Sequence, residues 1–138
     1  MSLTERTVSV LLLAAAAVAA AAAAVLFRYV DPNAPGNPLP GCLFYQVTHF
    51  YCIGCGLTRA LYALSHGDVL RALHMNPLGV GMLGVGPLML LHTAGWRPAA
   101  LGPIMSVLLS PRFWCILLPV YWVARNLPWW PFTLLAPA

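Results

Sequence analysis

The run from Val8 to Phe27 constrains this chain most, because its 20 consecutive residues include Ser9 as the only polar side chain. A helix of about 20 residues crosses the roughly 30 Å hydrocarbon core of a bilayer. Arg28 and Tyr29 follow the run and are typical of the lipid-headgroup region. The apolar region of a secretory signal peptide is shorter, about 7–15 residues. We therefore predict a transmembrane helix over residues 8–27.

The composition also indicates that most of the chain lies in a lipid bilayer. Hydrophobic residues make up 61% of the 138 residues, and charged residues only 7%. Soluble domains carry about 25% charged residues, so this chain has too few to cover a soluble surface. The net charge of +4 comes from arginines, several of which stand at the ends of apolar runs, where they bind lipid headgroups. We predict an integral membrane protein whose partner is the lipid bilayer and not a nucleic acid.

Two further apolar runs predict membrane spans over about residues 77–93 and 107–124. Arg112 would cost about 3 kcal/mol at mid-membrane, which favours a shallow or broken segment before Pro111 and a helix after it. The predicted fold is therefore all-α, a single membrane domain over residues 1–138. It has about three transmembrane helices, with short interfacial helices between the first and the second.

The least apolar part of the chain, residues 42–75, contains signals for those short helices. Leucines at helical spacing predict a helix over Leu57–Ser65. Gly67 suits the left-handed position that closes it, and Asp68 suits the cap of a second helix, Val69–His74. Asn76-Pro77 then predicts the start of the next span, with asparagine as the cap and proline at the first helical position.

The first span is unusually rich in alanine: ten of the eleven residues from Ala14 to Ala24. Alanine gains little from contact with lipid but lets another helix approach closely. We therefore predict that this helix packs against protein for much of its length, and that the chain has a protein partner or forms a homo-oligomer.

The block Cys52-Ile53-Gly54-Cys55-Gly56-Leu57-Thr58-Arg59-Ala60, preceded by Cys42, contains the most reactive side chains. Two cysteines separated by two residues can share a metal or form a disulfide. Cys55 precedes the predicted Leu57–Ser65 helix, whose N-terminus favours a thiolate. Arg59 lies one turn along the same face and adds positive charge. Cys55 is therefore predicted to be the thiol with the lowest pKa.

These motifs resemble a known family of small bacterial membrane proteins, domain of unknown function 2752, whose signature reads C-P-x-C-G-x-T-R-A. The resemblance runs from about Asp31 to Asn126, and Ile53 replaces the signature proline. It rests on Asp31-Pro32, Cys42, the Cys52 to Ala60 block, Gly67-Asp68, Asn76-Pro77-Leu78 and Arg125-Asn126. It implies a bacterial inner-membrane protein with a cysteine-containing segment between its first two spans, and it implies no particular activity.

The cysteine block has three interpretations. As a metal site, Cys42, Cys52 and Cys55 supply three thiolates and His49 the fourth ligand, with zinc as the default ion and copper(I) as the less favoured one. As a redox site, Cys52 and Cys55 alternate between dithiol and disulfide, although the chain lacks the βαβ unit that usually carries such pairs. As a structural element, the cysteines are packing residues or one static disulfide.

The leading hypothesis is a non-enzymatic membrane protein whose three cysteines bind a metal or form a structural bridge within a larger assembly. A thiol–disulfide redox protein is the alternative. A small transporter or channel subunit is the third hypothesis, and there Asn76 and Arg59 would line a wet cavity. The candidate functional cluster comprises Cys42, Cys52, Cys55, Gly56, Thr58, Arg59, Asp68 and Asn76.

Overall fold

The structure is a computed structural model that describes residues 3–137, without the side chains of residues 3, 5 and 6. Within this range it contains helices and no strand, which confirms the all-α fold class. The outermost residues of the predicted domain, 1–2 and 138, lie outside the described part. The helices are α1 (Leu3–Tyr29), α2 (Leu43–Thr48), α3 (Leu57–Ser65), α4 (Val69–Met75), α5 (Pro77–Thr93), α6 (Gly102–Leu108) and α7 (Pro111–Ala124), with 3-10 turns at Ala99–Leu101 and Phe132–Leu135.

Among the helices described, only α1 is by itself long and apolar enough to cross a membrane. Two bent pairs reach that length together: α4 with α5, at an angle of 114°, and the 99–108 segment with α7, at 62°. The chain therefore has one candidate span, or up to three if each bent pair crosses once. The stretch 107–124 is not one helix, because α6 ends at Leu108 and α7 begins at Pro111. This is the break that the sequence predicts before Pro111.

Helix α1 packs along α5 and reaches α3. Near one end, the Oγ of Ser9 lies 3.2 Å from the Oγ1 of Thr93, which is the last residue of α5. Near the other end, the ring of Phe27 meets Tyr62 of α3 edge-on, with centroids 6.1 Å apart. The alanine run between these contacts is exposed, apart from the half-buried Ala23. The described part of the chain therefore does not bury this run, and its predicted packing against protein stays a prediction.

Helices α3 and α4 form a tight hairpin around a small core. Its buried side chains are Ala60, Ala63, Ala72 and Met75, and the three alanines let the two helix backbones approach closely. Gly67 has φ +77° in the connecting turn, and the carboxylate of Asp68 accepts a hydrogen bond from the N–H of Arg71 at 2.9 Å. The structure thus confirms the Leu57–Ser65 helix, the glycine turn and the aspartate cap. It extends α4 by one residue, to Met75.

Candidate functional site

Three cysteine sulfurs converge at the start of α2 and in the loop before α3. Cys42 is the N-cap of α2, and Cys52 and Cys55 lie in the loop that follows this helix. The Sγ atoms of Cys42 and Cys52 are 3.4 Å apart, and all three Sγ atoms lie within 4.8 Å of one another. With bonds of about 2.3 Å, a tetrahedral zinc centre places its sulfurs roughly 3.8 Å apart. The observed spacing therefore fits a shared metal ion.

The fourth cysteine and the predicted fourth ligand stand outside this group. Cys115 is exposed in α7. His49 adopts a left-handed backbone conformation, φ 59°, and its ring meets Tyr45 edge-on with centroids 6.3 Å apart. Its ring nitrogens are not among the ligand atoms grouped with the three sulfurs. A ligand role for His49 stays a prediction without support from this arrangement.

The cysteine loop is held by a buried arginine from the end of α7. Arg125 is 1% exposed, and its guanidinium donates to the carbonyls of Cys52 at 3.0 Å, Ile53 at 2.9 Å and Cys55 at 3.0 Å. The rings of Tyr121 and Tyr51 flank the guanidinium carbon, with centroids at 5.3 and 6.0 Å. From the sequence, arginines at the ends of spans are expected to bind lipid headgroups. Arg125 is instead enclosed by protein, and it fixes the backbone that presents the cysteines.

Asn76 holds the same loop from the start of α5. It is 1% exposed, and its Nδ2 donates to the carbonyls of Ile53 at 3.0 Å and Cys55 at 3.1 Å. Its Oδ1 accepts from the N–H of Gly79 at 2.8 Å, which is the predicted helix cap, and from the hydroxyl of Tyr121 at 3.3 Å. The carbonyls of Ile53 and Cys55 therefore each receive one hydrogen bond from Asn76 and one from Arg125.

A second asparagine secures the beginning of the loop. Asn126 accepts from the N–H of Tyr51 at 2.7 Å and donates to the carbonyl of Tyr51 at 3.0 Å. Together with Arg125 and Asn76, it supplies side-chain partners for four residues of the loop. The carbonyl of Ile53, between the two cysteines, is therefore held by side chains from two other parts of the chain.

Gly56 closes the loop against the hairpin. It has φ +79°, and a Cβ on it would lie 2.5 Å from the carbonyl oxygen of Met75 and 2.9 Å from the Cβ of Pro137. Both the backbone conformation and the close approach therefore require glycine.

We expect Gly56→Ala to lower the free energy of unfolding by about 2–4 kcal/mol, because it combines a left-handed conformation with a backbone clash. Gly67→Ala is the matched control, since Gly67 has φ +77° but open space around it. That variant isolates the conformational cost, about 1–2 kcal/mol. The measurement is denaturant unfolding in detergent. Equal losses in the two variants would contradict the close approach at Gly56.

The prediction that Cys55 has the lowest thiol pKa is wrong. Cys55 is only 6% exposed, and burial, reinforced by its hydrogen bonds with the other two cysteines, raises its pKa to about 12. Removal from water disfavours the charged thiolate. The pKa of Cys42 is lowered instead, first of all by the backbone N–H of Tyr45 at the start of α2.

An open cleft of about 550 Å³ gives access to the sulfurs. All three cysteines line it, together with Gly56, Thr58 and Arg59 of the candidate cluster. Asp68 is not among the lining residues, and its carboxylate caps α4. The structure therefore brings six of the eight candidate residues around one cleft and a seventh, Asn76, against the cysteine loop.

Arg125 and Asn126 are part of the family resemblance, but the sequence predicts no role for them in the site. The available signal was that an arginine–asparagine pair follows the third apolar run. The hydrogen bonds themselves join Arg125 to Cys55, 70 positions away, so no local pattern predicts them.

Comparison with known proteins supports the family resemblance over residues 42–90, a range that excludes Asp31-Pro32 and Arg125-Asn126. The family model described as "Protein of unknown function (DUF2752)" matches residues 42–90. The match begins at Cys42 and includes Cys52, Cys55, Gly56 and Asn76, and it covers just over a third of the chain. No curated protein and no solved structure matches the chain.

Proposed function

We propose that this DUF2752-containing chain is a multi-pass protein of a bacterial inner membrane that binds one metal ion through Cys42, Cys52 and Cys55. The observation that carries the proposal is that three thiol sulfurs lie within 4.8 Å of one another on a loop fixed by buried side chains from two other helices. Zinc is the default ion for such a donor set, and copper(I) is the alternative.

The hydrogen bonding around the loop supports a metal site over simple packing. Burying a guanidinium is costly unless hydrogen bonds compensate for the lost water. The two terminal nitrogens of Arg125 donate three hydrogen bonds to carbonyls of the loop, whereas its buried Nε has no hydrogen-bond partner in the described part of the chain. Such hydrogen bonds to a ligand-bearing backbone hold metal ligands in position. Three thiolates around a divalent ion leave one net negative charge, which the positive charge of Arg125 complements.

The membrane topology is supported by the position of the helix ends. Residues Asn126 and Tyr51 are hydrogen-bonded, so the end of α7 lies beside the cysteine loop. Asn76, at the start of α5, bonds to the same loop. If α1, α5 and the bent 99–124 segment each cross the bilayer, the loop and the C-terminus lie on one side. The exposed alanine run of α1 is then covered by lipid or by the protein partner that the sequence predicts.

Reporter fusions after Asn37 and after Ala138 are therefore expected to give the same side of the membrane, and a fusion after Trp96 the opposite side. In this arrangement one crossing precedes Asn37 and three precede Ala138, so both lie on the side opposite the N-terminus. Two crossings precede Trp96, which therefore lies on the same side as the N-terminus. Paired periplasmic and cytoplasmic reporters measure it. Opposite sides for Asn37 and Ala138 would contradict the three-crossing arrangement.

The metal proposal predicts about one ion per chain in protein purified under reducing, oxygen-free conditions. Cys52→Ser and Cys55→Ser should each lose most of this metal, because one thiolate of three is removed. Cys115→Ser is the matched control and should retain it, since this exposed cysteine is outside the cluster. Elemental analysis with thiol counting is the measurement. Metal-free wild-type protein that still lacks metal after reduction and incubation with zinc or copper(I) would contradict the proposal.

A thiol–disulfide redox protein is the second candidate, and one distance favours it. The Sγ atoms of Cys42 and Cys52 are 3.4 Å apart, so a small shift would bring them to disulfide length, about 2.05 Å. The reaction would transfer two electrons to an acceptor and release two protons from the thiols. The spacing in the sequence predicts Cys52 and Cys55 as the redox pair instead. Thiol counting before and after reduction separates this candidate from the metal site.

The transporter hypothesis has less support. That hypothesis requires both Arg59 and Asn76 to line a water-filled cavity. Arg59 lines the cleft, whereas Asn76 is buried and directs its side-chain atoms to the loop, Gly79 and Tyr121.

A further inference from the structure

We infer that the metal ion keeps one coordination position for a thiolate that enters through the cleft from outside the chain. This inference rests on the proposed metal function and names the class of ligand that the site exchanges. The donor is either a low-molecular-weight thiol or a cysteine of a second copy.

The first step is the number of ligands. In the described part of the chain, the group of candidate ligand atoms contains three sulfurs and no histidine or carboxylate. Structural zinc sites are closed by four protein ligands, whereas sites that act on a bound molecule use three and leave one position for water or substrate. A three-cysteine centre in this loop is therefore of the second kind.

The second step is access. The cleft of about 550 Å³ lies within the range of small-molecule sites, roughly 300–1,000 Å³. It is lined by all three cysteines, and Cys42 and Cys52 are only partly buried. Gly54 and Gly56 also line it, so no side chains at these positions narrow the approach to the sulfurs. A donor can thus reach the metal without unfolding the loop.

The third step is the chemistry of the donor. A fourth thiolate would complete the four-cysteine coordination that is one of the common zinc sites. Thr58 and Arg59 line the same cleft, and a guanidinium there attracts an anionic ligand. A thiol that bound there would lose its proton to solvent and would form one sulfur–metal bond in the position that water would otherwise occupy. No electron is transferred, so the step needs no oxidant or reductant.

The test uses the full chain in detergent, stripped of metal and loaded with Co²⁺ as a coloured substitute for zinc. The sulfur-to-cobalt absorption band reports the protein thiolates before any thiol is added. Titration with 2-mercaptoethanol is expected to raise this band saturably, by about one third if four thiolates replace three. X-ray absorption spectra of the zinc-loaded protein should show three sulfurs becoming four.

The two donor sources give different behaviour. A fourth sulfur that requires added thiol identifies a small molecule as the donor. A fourth sulfur present from the start and lost on dilution identifies a cysteine of a second copy. Both results support the inference.

Arg59→Gln should weaken thiol binding roughly five- to tenfold while leaving the Co²⁺ content unchanged. Arg71→Gln removes an equal charge on the exposed side of α4, outside the cleft lining, and should leave thiol binding unchanged. If no sulfur-to-cobalt band forms, the proposed metal function fails. If the band forms but does not respond to thiol, or if four sulfurs persist at all dilutions, the metal function stands and the open position is refuted.

Discussion

Replacing Arg125 with methionine is expected to lower the free energy of unfolding by about 2–4 kcal/mol and to weaken metal binding at least about tenfold. The side chain donates three hydrogen bonds to the loop carbonyls, and methionine replaces its volume but none of its donors. Each carbonyl keeps one other donor, either Asn76 or the N–H of Cys55. The loss is therefore large without being total. Denaturant unfolding and competition with a metal indicator measure the two effects.

Two control variants test the reason for this loss. Arg125→Lys should restore only part of the stability and affinity, because one ammonium group cannot reproduce the forked geometry of the guanidinium. Arg112→Met removes an exposed arginine at the other end of α7 and should leave metal affinity unchanged. If Arg125→Met and Arg112→Met behave alike, then Arg125 does not position the cysteine loop.

Asn76→Ser is expected to cost about 2–3 kcal/mol of stability and to weaken metal binding. Serine is about as good a helix cap as asparagine, so a residue that only caps α5 would tolerate this change. The substitution removes both Nδ2 donors to the carbonyls of Ile53 and Cys55, however. The large effect is therefore predicted from the loop and not from the helix. Unfolding and metal competition in the same detergent provide the measurement.

Asp68→Ser is the matched control, because it makes the corresponding cap change on α4, where the carboxylate bonds only to the N–H of Arg71 among the contacts described. It should cost less than about 1 kcal/mol.

The double variant of Arg125→Met with Asn76→Ser should lose about 1–2 kcal/mol more than the two single losses combined. Only in the double variant do the carbonyls of Ile53 and Cys55 lose both side-chain donors. Additive losses would contradict a shared clamp.

The local features of this fold could be predicted from the sequence because each depends on residues within four positions of one another. Leucine spacing identified Leu57–Ser65, and the sequence Gly67-Asp68 identified the turn and the next cap. Asn76-Pro77 identified the start of α5 by the same logic. Five of the six candidate residues that line the cleft lie between Cys52 and Arg59, and a contiguous motif of this kind necessarily stays together in space.

The tertiary structure decided the features that depend on distant contacts. It buried Cys55, and desolvation is the main reason why the pKa of this thiol is raised. It left most of the alanine run of α1 exposed within the described part of the chain, although α1 packs along α5.

The role of Arg125 shows the difference most clearly. As a sequence feature it is a charged residue after an apolar run, and such residues generally bind lipid headgroups. In the fold, the bent path of the chain returns the end of α7 to the cysteine loop, 70 positions back from Arg125. There the guanidinium donates hydrogen bonds to three carbonyls and lies beside two tyrosine rings. The sequence by itself determined α1, α3, α4 and the start of α5, and which cysteines are available. Only the tertiary structure decided which side chains hold those cysteines together, because these hydrogen bonds join residues that have no local relation in the chain.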